Sequence, residues 1–457
     1  MVHRHTSAAR KRRVWPWIFA GVCFALIGVF FVARFCSRIQ EDLASAGAQL
    51  DAERELARRE GIPLEPSDLF PDRPIDDSSN AAPILAEACA IINRAYEDAD
   101  AGKAIEGLFA TASETDVRVV AKLIEDVGPQ LEAVIQAAKL PHCDFGKDYS
   151  VGTRITYPEF VGMRIAAKVL TSHAVLLSRA KRFDSAERNL KAAMRLAEFM
   201  AREPSAIAQM ASTSPTAIVQ SGLRKILKEN SSDEQAYEMA ERILSQQSLP
   251  DVRRALEGEV VILVATIRGL GTIGDVKAMA EEYGAAEPIE SGGLSNVFLN
   301  AIKRGWETRV IQYYREILNG LQNYSADDRG LISFVEQVYG RYRQSNDPSY
   351  WFAAQGGLAA VSAVRSRIVL QARTEMCKGY CLLLAYRREH GEFPQDLGAL
   401  GVELVDPIVG KPLRYRRTKE GFLIYSVAWD LQDDGGIHRS ESADDEQRQY
   451  DYVVQYP

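Results

Sequence analysis

Val14 to Ala33 is a run of twenty residues without a charge, placed directly after Arg10-Lys11-Arg12-Arg13. At a helical rise of about 1.5 Å per residue it reaches about 30 Å, the thickness of a bilayer's hydrocarbon core. Trp15 and Trp17 stand at the basic end, where indole rings favour the headgroup layer. Five basic residues precede the run, against Arg34 and Arg38 after it. The positive-inside rule then keeps residues 1–13 in the cytoplasm, makes 14–35 a transmembrane helix, and exports the rest. A cleaved signal peptide fits less well, because its apolar region is shorter and the pattern Ala44-Ser45-Ala46 lies too far downstream. The expectation is an uncleaved signal anchor with the lipid bilayer as its first partner.

Charge divides along the same line. Residues 1–35 hold six basic residues and no acid; of the chain's 55 basic and 62 acidic residues, this leaves 49 against 62 beyond the span. A net acidic exported part repels phosphate backbones, so no nucleic-acid partner is expected.

Residues 36–60 read as a polar helix leaving the membrane, and Pro63, Pro66, Pro71 and Pro74 make a linker up to about residue 80. From 81 to 390 the pattern is helical. Its clearest unit is 158–201, where Ile165, Val169, Ser172 and Leu176 share one face. After Ala180-Lys181-Arg182, Asp184 and Glu187 form a capping-box-like start. Ala186, Leu190, Ala193, Ala197 and Met200 continue the stripe on the second helix. This hairpin looks like a tetratricopeptide unit, but no second copy follows at that period, so an irregular helical array is expected. Ser232 with Gln235 starts another helix, and further helices are expected near 205–228, 251–284, 295–323, 326–344 and 357–390. Gly391, Pro394 and Gly398 end the helical pattern. Pro412 to Thr418, Phe422 to Val427 and Tyr450 to Tyr456 then read as strands, making 391–457 a small α+β module with antiparallel strands.

Several patterns imitate chemistry. Gly269-Leu270-Gly271-Thr272-Ile273-Gly274 fits G-x-G-x-x-G after the apolar run Val260–Val264. It lacks a following strand with an acidic end, and βαβ alternation is absent, so it reads as a buried helix running into a glycine kink. Cys377 and Cys381 share a helix face near His390 but lack a third and fourth metal ligand, and core packing is the better account. Cys89 and Cys143 could pair outside the cytoplasm, which spacing alone does not decide. His173 flanks an apolar face and reads as half-buried. No nucleophile-and-base constellation is visible, so no catalytic residue and no cofactor-binding residue is assigned.

From Tyr386 the chain reads Tyr-Arg-Arg-Glu-His-Gly-Glu-Phe-Pro. Asp406-Pro407-Ile408-Val409-Gly410-Lys411-Pro412-Leu413-Arg414-Tyr415 follows, then Phe422-Leu423-Ile424-Tyr425-Ser426, and last Asp430, Asp433-Asp434 and Gly435-Gly436. This resembles the C-terminal region of the type II secretion major pseudopilins over about 70 residues. The pseudopilin N-terminal processing motif is absent. The whole is more similar to uncharacterised bacterial membrane-anchored helical proteins, to which Arg202–Gln209 and Ala255–Glu259 also conform. The resemblance implies the bacterial inner membrane as location and a periplasmic bulk. It also implies calcium as the one candidate cofactor, held by Asp430, Asp433 and Asp434 with Asp444 and Asp445 completing the shell. A solvated acidic turn is the competing reading, and Asp406-Pro407 reads as a turn start.

Three functions stay open from sequence. The first is a non-enzymatic helical scaffold binding an exported protein or peptide. The others are an exported hydrolase with a cleft between helices, and an accessory factor of a pilin-like or secretion assembly.

Overall fold

The computed structural model describes residues 44–282, 296–324, 328–429, 431–436 and 451–456, except 72, 98 and 111. The proposed span at 14–35 lies outside the described residues.

The chain is mainly helical. Helix α1 covers 44–59, and a short α2 (Pro66–Leu69) follows in the proline-rich linker. Next come α3 (Ala82–Tyr96), α4 (Ala99–Phe109), α5 (Glu114–Asp126) and α6 (Gly128–Ala137). The hairpin of α7 (Glu159–Arg179) and α8 (Phe183–Arg202) leads into α9 (Ala206–Glu229) and α10 (Glu234–Ser245). Then follow α11 (Val252–Gly269), α12 (Ile273–Glu282), α13 (Asn296–Gly320), α14 (Asp328–Arg343) and α15 (Trp351–His390).

Two helix starts differ from expectation. Arg182 precedes α8 without a side-chain cap, and Glu187 turns away to bind Arg242 at 2.8 Å and Lys191 at 2.9 Å. Helix α10 is capped by Asp233 and not by Ser232: the Asp233 side chain accepts the Gln235 amide at 3.2 Å. The expected 251–284 helix is two helices. Asp275 accepts the Gly271 and Thr272 amides at 2.9 and 2.7 Å, and Thr272 Oγ1 accepts the Asp275 amide, which builds a new helix start.

Two hydrophobic cores are joined by α15. One gathers α3 to α10 and the second half of α15, with Met376, Cys377, Tyr380 and Leu383 buried. The other gathers α1, α2, α11 to α14 and the first half of α15, with Phe352, Ala360, Val364 and Ile368 buried. At 40 residues and about 1.5 Å each, α15 is a spine about 60 Å long. Helix α7 is long and apolar enough to cross a membrane, but Phe160, Met163, Ala166, Val169 and Leu170 lie in the first core.

The C-terminal strands are β1 (Val405–Asp406), β2 (Lys411–Pro412), β3 (Arg414–Arg417), β4 (Phe422–Ser426) and β5 (Tyr452–Tyr456). Strands β1 and β2 pair, and β3-β4-β5 form an antiparallel sheet in which Ile424 faces Tyr415 and Val454. Every residue of β4 is buried, and Phe422, Ile424 and Val454 belong to the same core as Tyr380 of α15. Asp406 is 1% exposed, and its carboxylate is fully engaged. It accepts the Ile408 amide, the Ser426 hydroxyl and the Val427 amide at 3.0, 2.9 and 3.2 Å, so the Asp-Pro turn also fastens β1 to the end of β4.

Candidate functional site

The segment joining α8 to α9 carries the densest buried chemistry. Pro204 cannot extend α8, and the Ser205 hydroxyl accepts the Ala208 amide at 3.1 Å to start α9. Gly258 of α11 lies against this corner; a Cβ there would stand 1.5 Å from the Pro204 carbonyl oxygen. That close approach delivers the next residue, Glu259, whose Oε1 accepts the Ala206 amide at 2.7 Å. Glu259 is 7% exposed, and burial pushes its carboxyl up to about 7, against the smaller pull of the Ala206 amide. Glu203 points the other way and accepts the Tyr149 hydroxyl at 2.8 Å. Burial raises its pKa as well, with the Tyr149 hydrogen bond opposing. Two sequence segments noted above, Arg202–Gln209 and Ala255–Glu259, thus meet at one corner.

A cavity opens on each side of it. The Glu203 side has about 180 Å³, lined by Phe70, Arg73, Cys143, Arg202 and Arg254 among others. The Glu259 side has about 200 Å³ and is largely apolar, with Tyr157, Ile207, Met210, Trp351 and Phe352 in its wall. The first cavity does not stand alone. Arg202 and Arg254 also line a concavity of about 410 Å³ between α8, α9 and the 248–251 loop. That concavity shares Met194 and Glu198 with a third one, of about 540 Å³, between α6, α8 and α10. One groove therefore follows the exposed side of α8 for most of its length. Its wall mixes apolar Met194 and Ala197 with charges that are mostly matched, such as Arg195 with Glu198 at 2.5 Å and Arg188 with Glu132 at 3.3 Å.

The residues singled out in the sequence fall elsewhere. Asp430 lies outside the described residues, as do Asp444 and Asp445. Asp433 accepts the Tyr425 hydroxyl at 3.0 Å and the Gly435 amide at 2.9 Å, and pairs with Arg414 at 3.2 Å. Burial raises the pKa of Asp451 and, more weakly, so do nearby Asp433 and Asp434. Asp451 is thus an acid of this loop that the sequence reading missed. Among the described residues no three His, Cys, Asp or Glu side chains converge as a metal shell. Cys377 is buried and Cys381 half-buried in the core, while His390 stacks on Tyr386 at 4.0 Å between centroids. Cys89 and Cys143 are free thiols, and burial pushes Cys89 up to about 12. The amides that a phosphate would need at the glycine motif are taken by Asp275. His173 is half-buried, and burial lowers its pKa.

Glu203 and Glu259 themselves were not predicted as site residues. The one local signal was an acid directly before Val260-Val261-Ile262-Leu263-Val264, where a buried helix offers it no water. No family model, no curated protein and no solved structure matches the chain.

Proposed function

We propose that this chain is a membrane-anchored, exported scaffold that holds an extended protein or peptide segment in the α8 groove. The observation that carries the reading is the continuity of the three concavities, which share Met194, Glu198, Arg202 and Arg254. A mixed apolar and charged wall suits a peptide, whose side chains alternate in character and whose backbone needs polar partners. The anchor at 14–35 would hold the groove near the bilayer surface. The resemblance of the C-terminal module to pseudopilins fits an accessory role beside a pilin-like assembly, with the sheet packed on α15 so that it caps the helical stack.

A hydrolase is the second reading, favoured by Glu259: a carboxyl near 7 beside an apolar cavity is matched to proton transfer at neutral pH. Scaffolding accounts for more of the surface. In the neighbouring cavity the Cys143 thiol is held protonated by burial, and Asp144 is bound to Arg73 at 2.6 Å.

The test is a photo-crosslinking residue placed at Met194 or Ala201 in the groove, or at Val161, which is 52% exposed, in cells making the full chain. A discrete crosslinked species is expected from the groove positions, lost when Ala197→Trp fills the wall. Equal crosslinking from Val161, or none from the groove, would overturn the reading. Protease added to spheroplasts should remove the C-terminus; protection would refute export.

A further inference from the structure

The groove ends between two arginines. Arg202 closes α8 and Arg254 lies in the first turn of α11, and both line the middle and the end concavities. Arg202 Nη1 donates to the Pro141 carbonyl at 2.6 Å, and Arg254 Nη2 donates to the Leu69 carbonyl at 2.8 Å. A guanidinium has five N–H donors in a planar fork, so these bonds fix each group and leave most of its donors open. Among the described residues neither arginine pairs with a carboxylate. The described acids around them are committed: Asp144 to Arg73, Glu198 to Arg195, Glu257 to Arg253 at 2.9 Å and Glu203 to the Tyr149 hydroxyl at 2.8 Å, while Asp251 caps α11. Phe70 gives the site a flat wall, its ring centroid 3.6 Å from the Arg73 guanidinium and 5.3 Å from that of Arg254. Burial and, next, the neighbouring Arg195 work against the charge of Arg202, and Glu198 offsets this only in part, so an incoming anion would relieve the remainder.

We infer that the cleft between Arg202 and Arg254 is a carboxylate site, which takes either the C-terminal carboxylate or an Asp or Glu side chain of the peptide in the groove. A carboxylate matches the guanidinium fork with two parallel hydrogen bonds. A single negative charge also fits better than a phosphate dianion, because Glu203 and Asp144 line the same cavity. The inference rests on the groove being a peptide site and adds the chemistry of its anchor.

The test uses the full chain in detergent on an array of eight-residue peptides. Each sequence is presented with a free C-terminus, as the C-terminal amide, and with its internal Asp and Glu replaced by Asn and Gln. The expected result is that bound peptides lose at least tenfold in affinity when one of the two carboxylate sources is removed. The array arm that loses binding identifies the source. Arg202→Gln and Arg254→Gln should abolish the preference, and Arg254→Lys, which keeps the charge but not the fork, should recover part of it. Near-UV circular dichroism of each variant checks that it is folded. Peptides that bind, are blocked by Ala197→Trp, and show no carboxylate preference would overturn the inference and leave the groove reading standing. If no peptide binds, both fall.

Discussion

Glu259→Gln isolates the energetic cost of the buried carboxyl at the α8–α9 corner. The amide keeps an oxygen for the Ala206 N–H and removes the ionisation. With the carboxyl at about 7 in the fold, against an ordinary 4.5, the folded state binds the proton more tightly than the unfolded chain. An acid whose pKa is raised by folding contributes no penalty below about 4.5. Stability then falls as pH rises, and the loss is complete above about 7. At about 1.4 kcal/mol per unit, a shift of about 2.5 units amounts to about 3 kcal/mol. Over roughly 400 residues an unfolding entropy of about 2 cal/mol/K each converts this to about 4 °C in Tm. The assay is thermal unfolding of the full chain in detergent at pH 5, 6, 7 and 8, wild type beside variant. Other acids titrate in both proteins and cancel in the difference. Part of the loss falls below pH 5, so the variant's Tm minus the wild type's should rise by about 3 °C between pH 5 and pH 8. A difference that stays constant across the range would refute the claim that burial holds Glu259 neutral.

Three further outcomes follow from the same geometry. Gly258→Ala drives a methyl into the Pro204 carbonyl, a backbone atom that cannot swing away, and should cost about 3 kcal/mol in a urea melt. Asp406→Ala leaves the Ile408 and Val427 amides without an acceptor and the buried Ser426 hydroxyl with the Val427 carbonyl alone, and should cost a similar ~3 kcal/mol, seen first as faster amide exchange in β4. Because Arg414 already pairs with Asp433, millimolar calcium should move Tm by less than ~1 °C; a clear rise would support the calcium reading of the C-terminal loop, since a hard cation needs several free oxygens.

The helices were legible because a buried helix face repeats locally. The stripe Ile165, Val169, Ser172, Leu176 needs only its own turn to declare itself, and three of its residues are buried in α7. Errors fell where a neighbour decides the outcome. Asp233 competes with Ser232 for the same amide, and Asp275 reaches back to Gly271 and splits a helix that hydropathy alone would run through. Strands β3 to β5 were legible for the same local reason, with Phe422 to Ser426 bounded by a glycine turn, whereas the short β1–β2 pair was not, and Pro412, the expected start of β3, belongs to β2. The site was not legible, since its parts lie far apart in sequence. Glu203 meets Tyr149 across 54 residues and Ala206 meets Glu259 across 53. No periodicity records such a meeting. What the sequence did carry was a pair of local oddities, a proline-serine break after α8 and a Gly-Glu ahead of five apolar residues. Each is costly alone, since Gly weakens a helix and a buried Glu demands a donor. Folded together they answer one another: the glycine makes room for the proline corner, and the corner's first free amide meets the glutamate. Two unfavourable choices at distant positions that cancel only in the fold mark the corner as a built feature. The groove and its two arginines begin at that same corner.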